Sequence, residues 1–291
     1  MNEASQYLIE LARRLAQPYI ALPEIRAIIL TGSASEGVSD FYSDLDVILY
    51  YETLPSEESL AKAAQTNGGS RRVQLAPRQD DVAAIEHYFI NGVECQFAHT
   101  TVAGWEAEMA SVLEQHDVAS PTQKALGGMA EAIPLYGEPL LRQWQATLDA
   151  YPESLALAMV QHHMAFFPIW GLVDRMETRD ATIWYTQMLV ENAHALIGAL
   201  AGLNHLYFSN FQFKRTERFI AKMSIAPPSF AARLEALFHA DRATAAADLE
   251  ALVGEVIALV EAHMPQVDTT RARRRLGWHP QMWTPVSHIG S

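Results

Sequence analysis

The chain has 291 residues, 49% hydrophobic and 19% charged, a composition that excludes a disordered protein. Its net charge of −13 argues against a protein that coats nucleic acid, which needs clustered Lys and Arg, and suits steering of a cationic or neutral small substrate as well as plain solubility. The single cysteine, Cys95, excludes an intrachain disulfide framework and a cysteine-rich zinc site, and no apolar run reaches the roughly 18 residues of a membrane span, so a cytoplasmic protein with no membrane partner is the default expectation.

The length suits two domains. "MNEASQYLIELARRLAQPYI" places Tyr7, Leu8, Leu11, Leu15 and Ile20 at helical spacing and carries Glu3 and Glu10 too early for a signal peptide, so it reads as an amphipathic helix. "EIRAIILTG" reads as a strand ending in glycine. A glycine- and serine-rich loop follows, then a second strand, "DLDVILYY". A helix is expected near 56–66, then a loop at Gly68 and Gly69. "IEHYFI-NG-VECQFAHT" is two β-rich runs joined by Asn91-Gly92, the strongest short hairpin signal, and "VAGWEAEMASVLEQH" is the next helix.

Prolines and glycines crowd 121–141, which reads as a connector. Beyond it, "ESLALAMVQHHMAFFPIWGLVDRM", "DATIWYTQMLVENAHALIGALAGL", "TERFIAKMSI", "SFAARLEALFHA" and "ATAAADLEALVGEVIALVEAHM" predict a bundle of about five helices. The expected organisation is an α/β (α+β) domain with a small mixed sheet over 1–120, a connector over 121–141, an all-α helical bundle over 142–266 and a tail over 267–291.

The chemistry concentrates in "TGSASEGVSDFYSDLDVILYYE". Side chains alternate along a strand, so Asp44 and Asp46 face the same way, with Cα atoms about 6.6 Å apart, while Leu45, Val47 and Leu49 face a core. Two adjacent carboxylates repel, and a divalent cation between them cancels the repulsion; hard oxygen ligands in small number, with water and phosphate completing the shell, describe Mg²⁺. In "VECQFA", Glu94 and Gln96 share the face opposite Val93, Cys95 and Phe97. If this strand lies beside "DLDVIL", Glu94 joins the aspartates, and three carboxylates hold two metal ions about 3.5–4 Å apart for in-line phosphoryl displacement. Glu94 is equally placed to accept a hydroxyl proton. Upstream, Gly32 lets backbone approach a phosphate and Ser33 adds a hydroxyl at an expected helix start.

Gly32-Ser33, followed by Asp44-Leu45-Asp46 entering an apolar strand, resembles the nucleotidyltransferase superfamily of the DNA polymerase beta type. Glu94 matches the family's third acid on a later strand. The likeness covers residues 25–100; "IPLYGEPLLRQW" followed by a helical bundle is similar to bacterial aminoglycoside and lincosamide nucleotidyltransferases, which hold substrate between the two domains. The resemblance implies ATP or another NTP with its triphosphate on Gly32 and Ser33, two Mg²⁺ ions on Asp44 and Asp46, Ser43 touching a phosphate, and Glu94 as metal ligand, base or both. A hydroxyl of a small molecule of the antibiotic kind then attacks the α-phosphorus and pyrophosphate leaves. Related enzymes that modify a protein or tRNA, and a non-catalytic nucleotide binder, are the alternatives; related enzymes occur as monomers and homodimers.

Outside this stretch, Lys214 in "FQFKRTERF" is a candidate triphosphate contact, with a solvated helix start as the plainer reading. Adjacent His162 and His163 point about 100° apart on a helix and read as core or cleft histidines rather than ligands of one metal, and Trp170, Trp184, Tyr185 and Tyr207 read mostly as bundle core, with one or two as candidates to line a cleft. Asp174, Glu177 and Glu191 are candidates for meeting a cationic substrate, with surface or capping roles as the plainer reading. Arg271, Arg273, Arg274 and Arg275 are candidates for gripping RNA or phosphate, with a helix end among acidic neighbours as the plainer reading.

Overall fold

The computed structural model describes residues 1–79, 82–176, 179–279, 281, 283 and 284, with backbone alone for 74–79, Trp170 and Asp174. Two compact units divide the chain, Met1–Pro152 and Glu153–Ser291.

The first unit is built on a six-stranded mixed sheet. Its strands are β1 (Ile25–Thr31), β2 (Leu45–Tyr51), β3 (Ser70–Gln79), β4 (Ala83–Ile90), β5 (Val93–Thr101) and β6 (Ile133–Tyr136), in the order β3-β4-β5-β2-β1-β6. The helices are α1 (Glu3–Ile20), α2 (Gly32–Ser35), α3 (Glu57–Thr66), α4 (Val102–Leu113), α5 (Thr122–Met129) and α6 (Glu138–Asp149). Asn2 caps α1 by accepting from Ser5 N–H, and α1 lays a stripe of Leu8, Leu11, Leu15 and Tyr19 into the core. That core takes the inward residues of the strands, Leu45, Val47 and Leu49 among them, together with Leu60, Ala63 and Ala64 of α3. At Asn91-Gly92 both residues have positive φ, 51° and 84°, and Ile90 pairs with Val93, so the expected hairpin forms with a two-residue turn.

Two strands fall where loop or connector was expected. β3 contains Pro77 and β6 contains Pro134, and both are edge strands, where a missing N–H costs no ladder bond on the solvent side. The stretch 121–141 accordingly carries α5, β6 and the start of α6, with β6 antiparallel to β1, and the division between units falls after Pro152.

On the sheet's second face, Tyr50 of β2 is covered by Trp105 of α4 and Trp144 of α6, at ring distances of 5.9 and 4.6 Å. Asp46 lies four residues nearer the strand's start on this same face and is half-buried. The face is thus closed at its Tyr50 end and accessible at the end where Asp44 and Asp46 stand.

The elements of the second unit among the described residues are helices: α7 (Glu153–His163), α8 (Trp170–Asp174), α9 (Thr182–Leu203), α10 (Thr216–Ile220), α11 (Phe230–Ala236), α12 (Arg242–His263) and α13 (Thr270–Arg273). The run over 153–176 does not continue as one helix; α7 ends at His163 and Pro168 precedes α8. The last turns of α9 are buried on nearly every side, through small residues such as Ala195, Gly198, Ala199 and Gly202. Among the described residues no helix is long and apolar enough to cross a membrane.

Candidate functional site

β2 runs antiparallel to β1 and parallel to β5, which brings three chain segments to one end of the sheet. Thr31 pairs with Asp46 across β1–β2, and Asp46 pairs with Gln96 across β2–β5. One rung before the pair Leu45↔Cys95 stand Asp44 and Glu94. The two aspartates and Glu94 therefore belong to adjoining strand starts and, by alternation, to the same face. All three are half-buried.

The turn after β1 fits closely against these acids. Gly32 has φ +71°, and a Cβ built on it would lie 2.4 Å from Asp46 Oδ2. Any side chain there would displace the carboxylate, so bare backbone lies directly against the acid. The expected helix after this glycine is a single turn, Gly32–Ser35, so what the segment offers an anion is close backbone approach rather than a long helix dipole. Ser33 Oγ lies 3.0 Å from Ser39 Oγ. Ser39 is buried; its N–H donates to Ser5 Oγ at 3.0 Å and its carbonyl accepts from Asn2 Nδ2 at 2.7 Å. The first turn of α1 thus anchors the loop carrying Ser33.

Ser43 is occupied with its own turn. Its hydroxyl accepts from Asp40 N–H at 2.9 Å and donates to Asp40 Oδ1 at 3.1 Å. Lys214 belongs to the second unit, exposed in the loop ahead of α10.

Two side chains not anticipated from sequence hold the acids. Gln96 Nε2 donates to Asp44 Oδ2 at 3.1 Å, and His87 Nδ1 lies 2.6 Å from Glu94 Oε1. The register makes them a pair, His87 opposite Gln96 across β4–β5. Counting back from the Asn91-Gly92 turn yields this pairing, so the signal was present in the sequence.

A hard divalent cation fits this donor set by its chemistry: carboxylate oxygens on one strand end, with backbone able to admit a phosphate beside them. Among the described residues no three of His, Cys, Asp and Glu are already drawn together around one point. Asp44 and Glu94 instead accept from the neighbouring donors Gln96 and His87. Cys95 faces the core, where burial pushes its thiol up to about 12, so it is no nucleophile at neutral pH.

In the second unit, His162 is exposed and His163 half-buried. Burial, then the neighbouring His162 and His194, lowers His163 to about 4, and its Nε2 is buried without a hydrogen-bond partner. Tyr185 is buried, while Trp184 is 44% exposed at the surface. A groove of about 590 Å³, floored by Met164, Phe166 and Val267, has Glu191 and Arg271 at its rim. Arg273 pairs with Glu261, and Arg275 donates to Phe166 O at 2.9 Å, so much of the arginine run serves its own unit. Glu177 lies outside the described residues, as do the side chains of Trp170 and Asp174.

No protein-family model matches the chain, and no curated protein matches it. Among solved structures it is similar to a nucleotidyltransferase-like protein from Exiguobacterium sibiricum, at 15% identity over 89% of this chain and 80% of that one, with a TM-score of 0.36. At that score the likeness is slight, and the residues themselves carry the reading that follows.

Proposed function

We propose that this chain is a Mg²⁺-dependent nucleotidyltransferase that moves a nucleoside monophosphate, AMP from ATP in the first instance, onto a hydroxyl of a small molecule of the aminoglycoside type. The observation that carries the reading is the fit of Gly32 against Asp46, with Asp44 and Glu94 level on the adjoining strand starts. A bare-backbone turn against one acid of a neighbouring pair has little value for packing, since glycine loses the most entropy on folding and the charges repel. It has clear value for seating a metal-bound phosphate.

In this reading Asp44 and Asp46 hold the metal, with Glu94 as the third acid. Mg²⁺, when bound there, supplies charge neutralisation at the phosphates. Gly32 admits the triphosphate, and Ser33 turns its hydroxyl from Ser39 toward it. Ser43 steadies the turn that precedes Asp44. Glu94, if it is not wholly taken up by metal, accepts the proton of the attacking hydroxyl. The chain's contribution is chiefly position and charge, which suits phosphoryl chemistry.

A screen of NTPs against hydroxyl-bearing antibiotics, read by pyrophosphate release, tests the reading. Mg²⁺-dependent release with at least one pair supports it, and release that persists without Mg²⁺ overturns it. Labelled ATP added to a cell lysate separates acceptors: label on a macromolecular band instead of a small molecule removes the antibiotic-type acceptor.

A further inference from the structure

We propose that His87 and Gln96 are the positioning residues of this site, His87 holding Glu94 and Gln96 holding Asp44, so that the two acids standing level on neighbouring strands are fixed for a hard cation and its phosphate. The proposal rests on the nucleotidyl-transfer reading and deepens it.

The register supplies the first argument. His87 and Gln96 are directly opposed across β4–β5, and the acids they hold stand immediately before β2 (Asp44) and on β5 (Glu94). Both orienting groups thus come from interior strands of the sheet. The donor chemistry supplies the second. An ionised carboxylate only accepts, so the 2.6 Å contact puts the His87 proton on Nδ1, and the Gln96 amide N–H₂ is the donor to Asp44. Burial supplies the third. The His87 side chain is 18% exposed against 37% for Glu94, so the imidazole backs the acid, and the edge of Phe89, with ring centroids 5.7 Å apart, steadies its plane.

The remaining oxygens complete the case. Asp44 Oδ1 and Glu94 Oε2 are hydrogen-bonded by no described residue. Each acid is therefore held by one oxygen and offers the other, which is how a partner behind a metal-binding carboxylate orients it. A purely structural acid in the same sheet is treated differently: Glu86, on the opposite face, is met by Arg72, His99 and Tyr19.

The test uses the full-length chain with His87→Phe, His87→Asn, Gln96→Leu and Glu94→Leu variants. In the ligand-free protein, nitrogen NMR of the imidazole should find the proton on Nδ1, and Glu94→Leu should return the ring to the tautomer mixture of free histidine. Calorimetry then reads Mg²⁺ binding in the presence of a non-hydrolysable ATP analogue. Affinity should fall about ten- to hundred-fold in His87→Phe and Gln96→Leu, and His87→Asn, which retains an N–H near the Nδ1 position, should recover most of the loss. Unchanged affinity in the Phe and Leu variants, or an Asn variant as weak as Phe, overturns the proposal. A wild-type protein that binds no Mg²⁺–nucleotide overturns the nucleotidyl-transfer reading instead, and the NMR result still decides whether His87 holds Glu94.

Discussion

The two faces of the sheet treat acids in opposite ways, and the contrast is sharpest at two adjacent residues of β4. Glu86 points inward and is 2% exposed, within a network of Arg72, His99, Tyr19, Tyr51, Tyr88 and Asn67. His87 points outward and, among the described residues, has Glu94 as its one hydrogen-bond partner, with Phe89 against its ring. Buried charge on the inner face is compensated from several sides, as a low-dielectric interior demands. On the outer face Asp44 and Glu94 are each held by one donor among the described residues, near the accessible end of the sheet. The inner acid belongs to the fold, and the outer ones are those that the proposed function assigns to a cation.

Breaking the inner network should give the largest effect on stability. Arg72→Leu leaves Glu86 buried without its cation, and chemical denaturation should show a loss of about 3 kcal/mol. Nucleotide binding, measured where the variant is folded, should be unaffected, because Arg72 acts on the opposite face.

The second unit supplies a pH counterpart. His163 is depressed to about 4 in the folded state, against 6.5 for the free residue. The unfolded chain therefore binds more protons in this window. Stability should fall as pH drops from about 6.5 to about 4, by up to about 3 kcal/mol, and level off below that. His163→Gln should flatten this slope in denaturation curves taken across the range.

Gly32→Ala tests the outer face from the backbone side. Positive φ and the 2.4 Å approach to Asp46 Oδ2 both oppose a Cβ. Thermal or chemical unfolding should show a loss of about 1–2 kcal/mol, with a larger proportional loss of Mg²⁺–nucleotide affinity. The smallest effect is the most discriminating. Asp44→Asn relieves repulsion in the metal-free protein and should leave stability unchanged or raise it by about 0.5 kcal/mol, whereas removing the inner acid's partner is costly.

Much of this was legible in the sequence, for identifiable reasons. β1 was marked by a short apolar run ending in glycine, β2 by the alternation of its apolar residues with Asp44 and Asp46, and the β4–β5 hairpin by Asn91-Gly92. β3 and β6 were not, because Pro77 and Pro134 read as loop until the edge positions of both strands are known. Strand alternation alone placed Asp44 and Asp46 on one face, and the parallel pairing of β2 with β5 brings Glu94 level with Asp44. His87 and Gln96 were computable from the hairpin turn, yet a histidine inside a strand carries no signal of its own. Ser39's hold on Ser33 depends on α1 folding back to that loop, a tertiary contact that local sequence does not encode.

The most direct test of the outer face is pyrophosphate release from Mg²⁺–ATP, with an acceptor found by screening, in wild type and in Asp46→Ala. Wild type should turn over and stop on chelation of Mg²⁺, and Asp46→Ala should fall by roughly 10²–10³-fold while remaining folded. An Asp46→Ala protein that releases pyrophosphate at the wild-type rate would contradict the account.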